Sequence, residues 1–285
     1  MFNTTIATQI YAKICFEATN SQKKIIENLS EYLSDDDFSR IFVLNGFAGT
    51  GKTTLIAAVV AALKELRIKP VLLAPTGRAA KVLARYCGEQ ALTIHKRIYR
   101  QRTNADYESK FSLDFNREQG AVFIVDEASM LSDSTGDCAL FGSGSLLEDL
   151  VSYVRSGRGC RLILVGDSAQ LPPVGCDFSP ALDPATVSRY GEVVYGLMDE
   201  VVRQQMQSGI LFNATLVRCM LENRIYEIPK FEMDYPDFES VEGGYFMEKV
   251  QDAFDRYGRD EVIVITRSNK RANRYNEGIR RYILS

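Results

Sequence analysis

The chain has 285 residues, 46% of them apolar and 25% charged, with a formal net charge of −3. That length supports one large domain or two medium ones, the composition is that of an ordinary soluble globular protein, and the near-neutral charge excludes a chain that attracts nucleic acid as a whole. No stretch approaches the ~20 apolar residues that span a bilayer, and six scattered cysteines with one histidine argue against a Cys/His zinc site. Reduced cysteines and the lack of a secretory signal pattern point to a cytoplasmic protein.

In chain order, Thr19-Asn20-Ser21-Gln22 fits a capping box in which Gln22 reaches back to Thr19. The other reading of Gln22 is an amide that reads an adenine edge, because it donates and accepts together. The apolar run Ile41–Leu44 then leads into Gly46-Phe47-Ala48-Gly49-Thr50-Gly51-Lys52-Thr53, followed by the helix-like run Leu55–Leu66. This is a complete G-x-x-x-x-G-K-[ST] loop in strand–loop–helix context. The glycines let the backbone curl so that its N–H groups point at phosphate oxygens. The positive end of the following helix adds to that field. Gly46, Ala48, Gly49, Thr50, Gly51, Lys52, Thr53 and Thr54 are the expected cradle of a nucleoside triphosphate, with Lys52 reaching the β/γ-phosphates and Thr53 holding Mg²⁺.

A second apolar run, Val71–Leu73, ends in Ala74-Pro75-Thr76. Thr76 is a good N-cap for the helix that opens with Gly77-Arg78-Ala79-Ala80-Lys81, whose exposed N–H groups can hold an anion. That anion is a nucleic-acid phosphate if Arg78 faces it; otherwise Thr76 simply caps, and Arg78 and Lys81 are solvated. His95, in Thr93-Ile94-His95-Lys96, is of a kind more often structural than catalytic. Residues 77–117 hold nine Lys/Arg against four Asp/Glu, and residues 267–281 six against one. A phosphate-tracking groove needs such local surplus, although a solvated helix face produces it too.

Val122–Val125 ends in Asp126-Glu127. With a phosphate loop upstream, Asp126 can hold Mg²⁺ through its water shell, and Glu127 can orient or deprotonate an attacking water. A helical pattern, Ser145–Val154, precedes the fourth run, Leu162–Val165, which ends in Gly166-Asp167. Gln170, before Leu171-Pro172-Pro173, carries a neutral amide able to sense the γ-phosphate or the water. Four runs apolar on both faces, alternating with helices, indicate a parallel α/β sheet covered on both sides. Ligands of such sheets bind beyond the carboxyl ends of the strands, where every one of these motifs falls.

After about residue 196 the texture changes. Glu200–Leu221 reads as a helix containing Arg203, either an arginine finger for the γ-phosphate or an ion-pair partner of Asp199 or Glu200. Pro229–Gly244 is acidic and turn-rich; a helix-like stretch (Phe246–Tyr257), a strand (Val262–Thr266) and a basic helix (Asn269–Leu284) follow. The expectation is a first domain over residues 1–196, with a short insertion at about 100–120, and an incomplete second α/β domain over 197–285 with too few strands for its own core.

Taken together, this order resembles superfamily 1 DNA helicases, and within them the RecD-like branch, superfamily 1B. Gln22 matches the family's Q motif, Gly46–Thr54 motif I, Ala74–Ala80 motif Ia, Val125–Met130 motif II and Gly166–Pro173 motif III. Thr93-Ile94-His95 sits where motif Ib is expected, and Leu197–Gln204 resembles motif IV with Arg203. Thr266–Asn273 looks like the strand-to-helix segment early in the second motor domain. The resemblance implies a RecA-like phosphate-loop domain plus the start of a second, with ATP and Mg²⁺ between them and single-stranded or forked DNA across the top. It places Thr76, Arg78 and His95 on the DNA side, and implies a monomeric 5′-to-3′ motor with no membrane partner. Residues 100–120 take the place of the strand-separating pin, short enough for a small hairpin at most. Motifs V and VI have no counterpart here, so the resemblance makes this the N-terminal part of a motor. Two alternatives stay open: an ATP-binding module of the same fold without turnover, and an RNA-dependent ATPase.

Overall fold

The structure is a computed structural model describing residues 2–103, 109–133, 141–200 and 208–283. In chain order it runs α1 (Phe2–Lys13), α2 (Asn20–Ser34), β1 (Ile41–Gly46), α3 (Lys52–Glu65), β2 (Pro70–Ala74), α4 (Gly77–Cys87), β3 (Ala91–Thr93), α5 (Ile94–Ile98), β4 (Tyr99–Thr103) and β5 (Ser109–Leu113). Then come β6 (Val122–Val125), α6 (Leu146–Ser156), β7 (Arg161–Gly166), α7 (Pro184–Val187), β8 (Val193–Met198), α8 (Gly209–Glu222), α9 (Phe246–Tyr257) and α10 (Asn269–Tyr282). The chain forms two compact units, residues 1–206 with 214–228, and residues 207–213 with 229–285.

The first unit is built on a six-stranded sheet in the order β3-β2-β6-β7-β1-β8, every pairing parallel. Side chains alternate between its faces with the strand period of two. Phe42 and Leu44 face the layer holding Ile6, Ile10, Ile26, Leu29 and Val59 of α1, α2 and α3. Ile41 and Val43 face Ile94, Ile98, Leu147 and Leu150 of α5 and α6. Both faces are dry, which is why the strands read as unbroken apolar runs.

The order of strands places the chemistry. β7 and β6 lie between β1 and β2, so the residues after β7 stand one strand away from those after β1, and those after β6 two strands away. At ~4.8 Å per strand this gathers three strand ends within about 10 Å, although they fall at residues 46, 125 and 166 of the sequence.

The expected boundary at residue 196 falls inside β8, whose ladder with β1 continues to Gly46↔Met198. Gly196 hid the strand: it interrupts the apolar run because a Cβ there would stand 2.2 Å from Ile25 Cδ1 of α2. Further elements without a sequence expectation are α1, the short edge strand β3, α5 and α7. In the 100–120 region, β4 and β5 pair antiparallel as a two-stranded ribbon, the small hairpin expected there.

The second unit holds α9, α10 and turn-rich chain. Phe246 and Tyr275 rings pack at 5.0 Å, and Val250 and Ile279 are its buried apolar residues. Asn213 staples the unit locally: its Nδ2 donates to the Glu232 carbonyl at 2.8 Å, and its Oδ1 accepts the Glu232 N–H at 2.8 Å. The strand expected at Val262–Thr266 is not formed. Ile263 and Ile265 are 59% and 86% exposed, and the segment finds no neighbouring strand among the described residues to pair its backbone. The helix expected from Glu200 begins at Gly209 among the described residues. No described helix is long and apolar enough to cross a membrane.

Candidate nucleotide site

The phosphate loop leaves β1 at Gly46 and enters α3 at Lys52. Gly49 (φ 76°) and Gly51 (φ 84°) adopt the left-handed conformation that only glycine takes at little cost. Gly46 is required for a different reason: a Cβ there would stand 2.8 Å from Lys52 Cγ and 2.9 Å from Cδ. The lysine side chain lies across that glycine and donates to the carbonyls of Gly46 (2.5 Å) and Phe47 (2.9 Å). Helix α3 has Gly51 as its N-cap and no side-chain capping bond, so its first N–H groups are left to an anion.

Three carboxylates surround the Lys52 ammonium. Asp167, at the end of β7, is 3.9 Å away and almost fully buried. Burial pushes the Lys52 pKa down, and Asp167, Glu127 and Asp126 push it back up. Asp126 continues the β6 ladder, its N–H donating to the Leu73 carbonyl at 3.0 Å, and burial raises its carboxyl above the usual range. Glu127 turns the chain in a left-handed conformation (φ 55°, ψ 37°), a strain of the kind stored at functional sites. Burial and then the Asp126 charge raise the Glu127 pKa, while a hydrogen bond with the Gln170 side chain lowers it.

Gln170 is presented by a turn that Asp167 builds. Asp167 Oδ1 accepts the Ala169 N–H at 2.9 Å, and its carbonyl accepts the Gln170 N–H at 3.1 Å. Asn45 ties that turn to β1: its Oδ1 accepts the Ser168 N–H at 3.0 Å, and its Nδ2 donates to Ser168 Oγ at 2.9 Å and Tyr195 Oη at 3.0 Å. Lys52, Asp126, Glu127 and Gln170 are thus one cluster.

These motifs run through residues 18–211, which match the model of the AAA-domain family. The chain belongs to that family. It is 31% identical over 154 residues to the ATP-dependent RecD2 DNA helicase of Deinococcus radiodurans, covering 54% of this chain and 19% of that one. It is 32% identical over 201 residues to the RecBCD enzyme subunit RecD of Mycobacterium tuberculosis, covering 57% and 32%. It is 32% identical over 136 residues to the ATP-dependent DNA helicase dda of Enterobacteria phage T4, covering 46% and 28%. These relatives bear out the likeness to RecD-like superfamily 1 helicases. The chain spans no more than 32% of the length of any of the three.

In this family member the remaining expected residues fall in three places. Gln22 forms the capping box with Thr19, and its Nε2 donates to the Thr50 carbonyl at 3.0 Å. It is fully buried, its amide joined to the phosphate loop. Thr76 caps α4, accepting the Ala79 N–H at 3.2 Å, and with Arg78 it is exposed at the carboxyl edge of the sheet. His95 follows in α5. Its ring is half-buried against Tyr99 and Phe141, with centroids at 5.7 and 5.1 Å, and burial lowers its pKa. Arg203 lies outside the described residues.

Sequence reasoning passed over four participants. Asp167 and Asn45 were visible as polar residues ending apolar strands, but nothing in the sequence says which strand end adjoins the loop. Tyr99, whose hydroxyl donates to the buried Asp149 carboxylate at 2.7 Å, roots the β4–β5 ribbon. Arg218 of α8 holds its guanidinium 4.1 Å over the Phe47 ring of the loop, a contact across 171 residues with no local signal.

Proposed function

We propose that this chain is the ATP-hydrolysing motor portion of a DNA helicase or translocase that moves 5′ to 3′ on single-stranded DNA. The observation that supports it most is the Lys52 cluster: one ammonium among three carboxylates, beside an uncapped helix terminus, with the Gln170 side chain hydrogen-bonded to the Glu127 carboxyl. Backbone N–H groups of Gly49 to Thr53 bind the phosphates. Lys52 exchanges its two carbonyl partners for β/γ-phosphate oxygens. Glu127 takes the proton of the attacking water, its raised pKa making it the better base near neutral pH, and Gln170 holds that carboxylate in line. Arg203 supplies further positive charge to the transition state.

Mg²⁺ suits the donors present. Among the described residues no three His, Cys, Asp or Glu side chains group to hold a metal by themselves. Thr53 and Asp126 provide the sparse oxygen set that suits an ion arriving with its triphosphate and waters, where it would supply charge neutralisation at the β/γ-phosphates. The unrelieved negative charge beside Asp126 fits such an ion. Thr76 and Arg78 contact the DNA backbone, and the β4–β5 ribbon serves as the strand-separating pin. A monomeric, cytoplasmic protein completes the reading.

The test is the ATPase rate of the chain with poly(dT), with poly(U) and with neither. Stimulation by poly(dT) above poly(U) is expected, abolished by Lys52→Ala. Nucleotide binding without turnover on either polymer makes it a binding module; greater stimulation by poly(U) makes it an RNA-dependent ATPase.

A further inference from the structure

We propose that Asn45 is a positioning residue for hydrolysis, holding the turn that presents Gln170 to Glu127. The inference rests on the nucleotide-site reading above and adds what fixes the reach of Gln170.

The sheet stops short of Gln170. On one side of β7 the ladder with β6 ends at Val125↔Leu164, and on the other the ladder with β1 ends at Asn45↔Gly166. Beyond Gln170 little holds the chain. Leu171 and Val174 are 87% and 102% exposed, and Pro173, which has no N–H to bond, is the one buried residue before Ser179. The place of Gln170 is therefore set from the β7 side.

Asn45 takes over where its own backbone pairing stops. The residue that closes the β1–β7 ladder reaches with its side chain to Ser168, whose N–H it accepts at 3.0 Å and whose Oγ it donates to at 2.9 Å. Its Nδ2 also donates to Tyr195 Oη at 3.0 Å, on the neighbouring strand β8. An asparagine amide offers one carbonyl and two N–H groups. All three are engaged on a buried side chain, so the amide has one orientation. Asp167 shapes the turn from within, accepting the Ala169 N–H and the Gln170 N–H. Being part of the turn, it cannot say where the turn stands relative to the phosphate loop. Asn45 can, because the loop begins at the next residue, Gly46.

These bonds matter for direction more than for stability. Ser168 is exposed, so water can pair with its N–H and hydroxyl once the amide is gone. What is lost is the fixed distance between loop and turn, and with it the alignment of the Gln170 side chain on the Glu127 carboxyl. Lys52 keeps its own bonds within the loop, so binding of a nucleotide that makes no use of Gln170 should not change.

Calorimetric titration of the 285-residue chain with Mg–ADP, alone and with aluminium fluoride, tests this. Mg–ADP reads the loop; the fluoride complex mimics the phosphoryl group in transfer and binds more tightly where the transition-state groups are aligned. Asn45→Ala is expected to bind Mg–ADP as the wild type does and to lose roughly tenfold of that tightening, short of the ~10² that a full ångström of misplacement costs. Gln170→Ala is expected to lose at least as much, and the double variant no more than Gln170→Ala alone, because Asn45 acts through Gln170. If Asn45→Ala does not fold, Ser168→Ala, at the exposed end of the same bonds, reads a loss of about threefold. Losses that multiply in the double variant, wild-type tightening in Asn45→Ala or in the Ser168→Ala that stands in for it, or weakened Mg–ADP overturn the proposal and leave the nucleotide site standing. A wild-type chain that aluminium fluoride does not tighten does the same. A wild-type chain that does not bind Mg–ADP overturns both.

Discussion

Replacing Glu127 with glutamine should separate stability from chemistry. The cluster has one positive charge, Lys52, against Asp126, Glu127 and Asp167, so two negative charges lack a partner there. At Glu127, burial and the Asp126 charge outrank the attraction of Lys52; that order fixes the sign of the effect. A folded-state pKa above the unfolded value means that the folded protein binds the proton more tightly. Stability is then lost as pH rises from the ordinary carboxylate range through the raised values of Glu127 and Asp126. Glutamine keeps the size of the side chain and a hydrogen bond to Gln170 while removing one uncompensated charge. A gain of about 1 kcal/mol is expected, or about 2–4 °C in Tm for a unit of this size. Scanning calorimetry without nucleotide, near pH 8 and near pH 5, measures it. The gain should shrink at the lower pH, where the wild-type glutamate takes up its proton. Single-turnover ATP hydrolysis should fall by about 10²–10⁴, the usual worth of a positioned base, with Mg–ATP binding preserved. A Tm that does not rise near pH 8, or rises as much near pH 5, refutes the electrostatic argument. An unchanged single-turnover rate refutes Glu127 as the base.

Gly46→Ala places its Cβ against the Lys52 stem; displacing that flexible chain should weaken ATP about tenfold, the equivalent of ~1.4 kcal/mol, in fluorescence titration with little change in Tm. Lys52→Ala should abolish nucleotide binding in the same titration, and wild-type affinity in that variant would sink the assignment of the loop. Tyr99→Phe removes the hydrogen bond to buried Asp149 and should cost about 1–3 kcal/mol in urea unfolding. For Phe47 and Arg218, a double-mutant cycle with Phe47→Leu and Arg218→Met should give a coupling of about 0.5–2 kcal/mol; strict additivity would show that the ring and the guanidinium do not act together.

The chain's local chemistry was legible wherever a motif is short and its geometry is set by neighbours in sequence. The loop from Gly46 to Thr53 declares itself because curling a backbone around phosphate needs glycine at fixed offsets from a lysine. Asp126-Glu127 declares itself as a charged break after four residues buried on both faces. Capping by Thr19 and Thr76 followed from the same local rules, and both caps are formed. The alternation of apolar runs with helical patterns was enough for a parallel sheet, because only strands dry on both sides lack polar alternation. Where two local readings competed, as at Gln22 and His95, the sequence could not choose, because the choice turns on burial and partners, and both are tertiary. Strand order was equally out of reach, since nothing local says that β7 and β6 insert between β1 and β2. That insertion brings Asp167 beside Lys52 and makes one site of three strand ends. β8 was hidden because the packing of α2 against it demanded a glycine in its middle, and residues 262–266 had the composition of a strand without a neighbour to pair with. The sequence determined which groups the site contains, since those depend on residue type and spacing. Only the tertiary structure decided which of them meet, because contacts between distant segments are set by sheet order and helix packing.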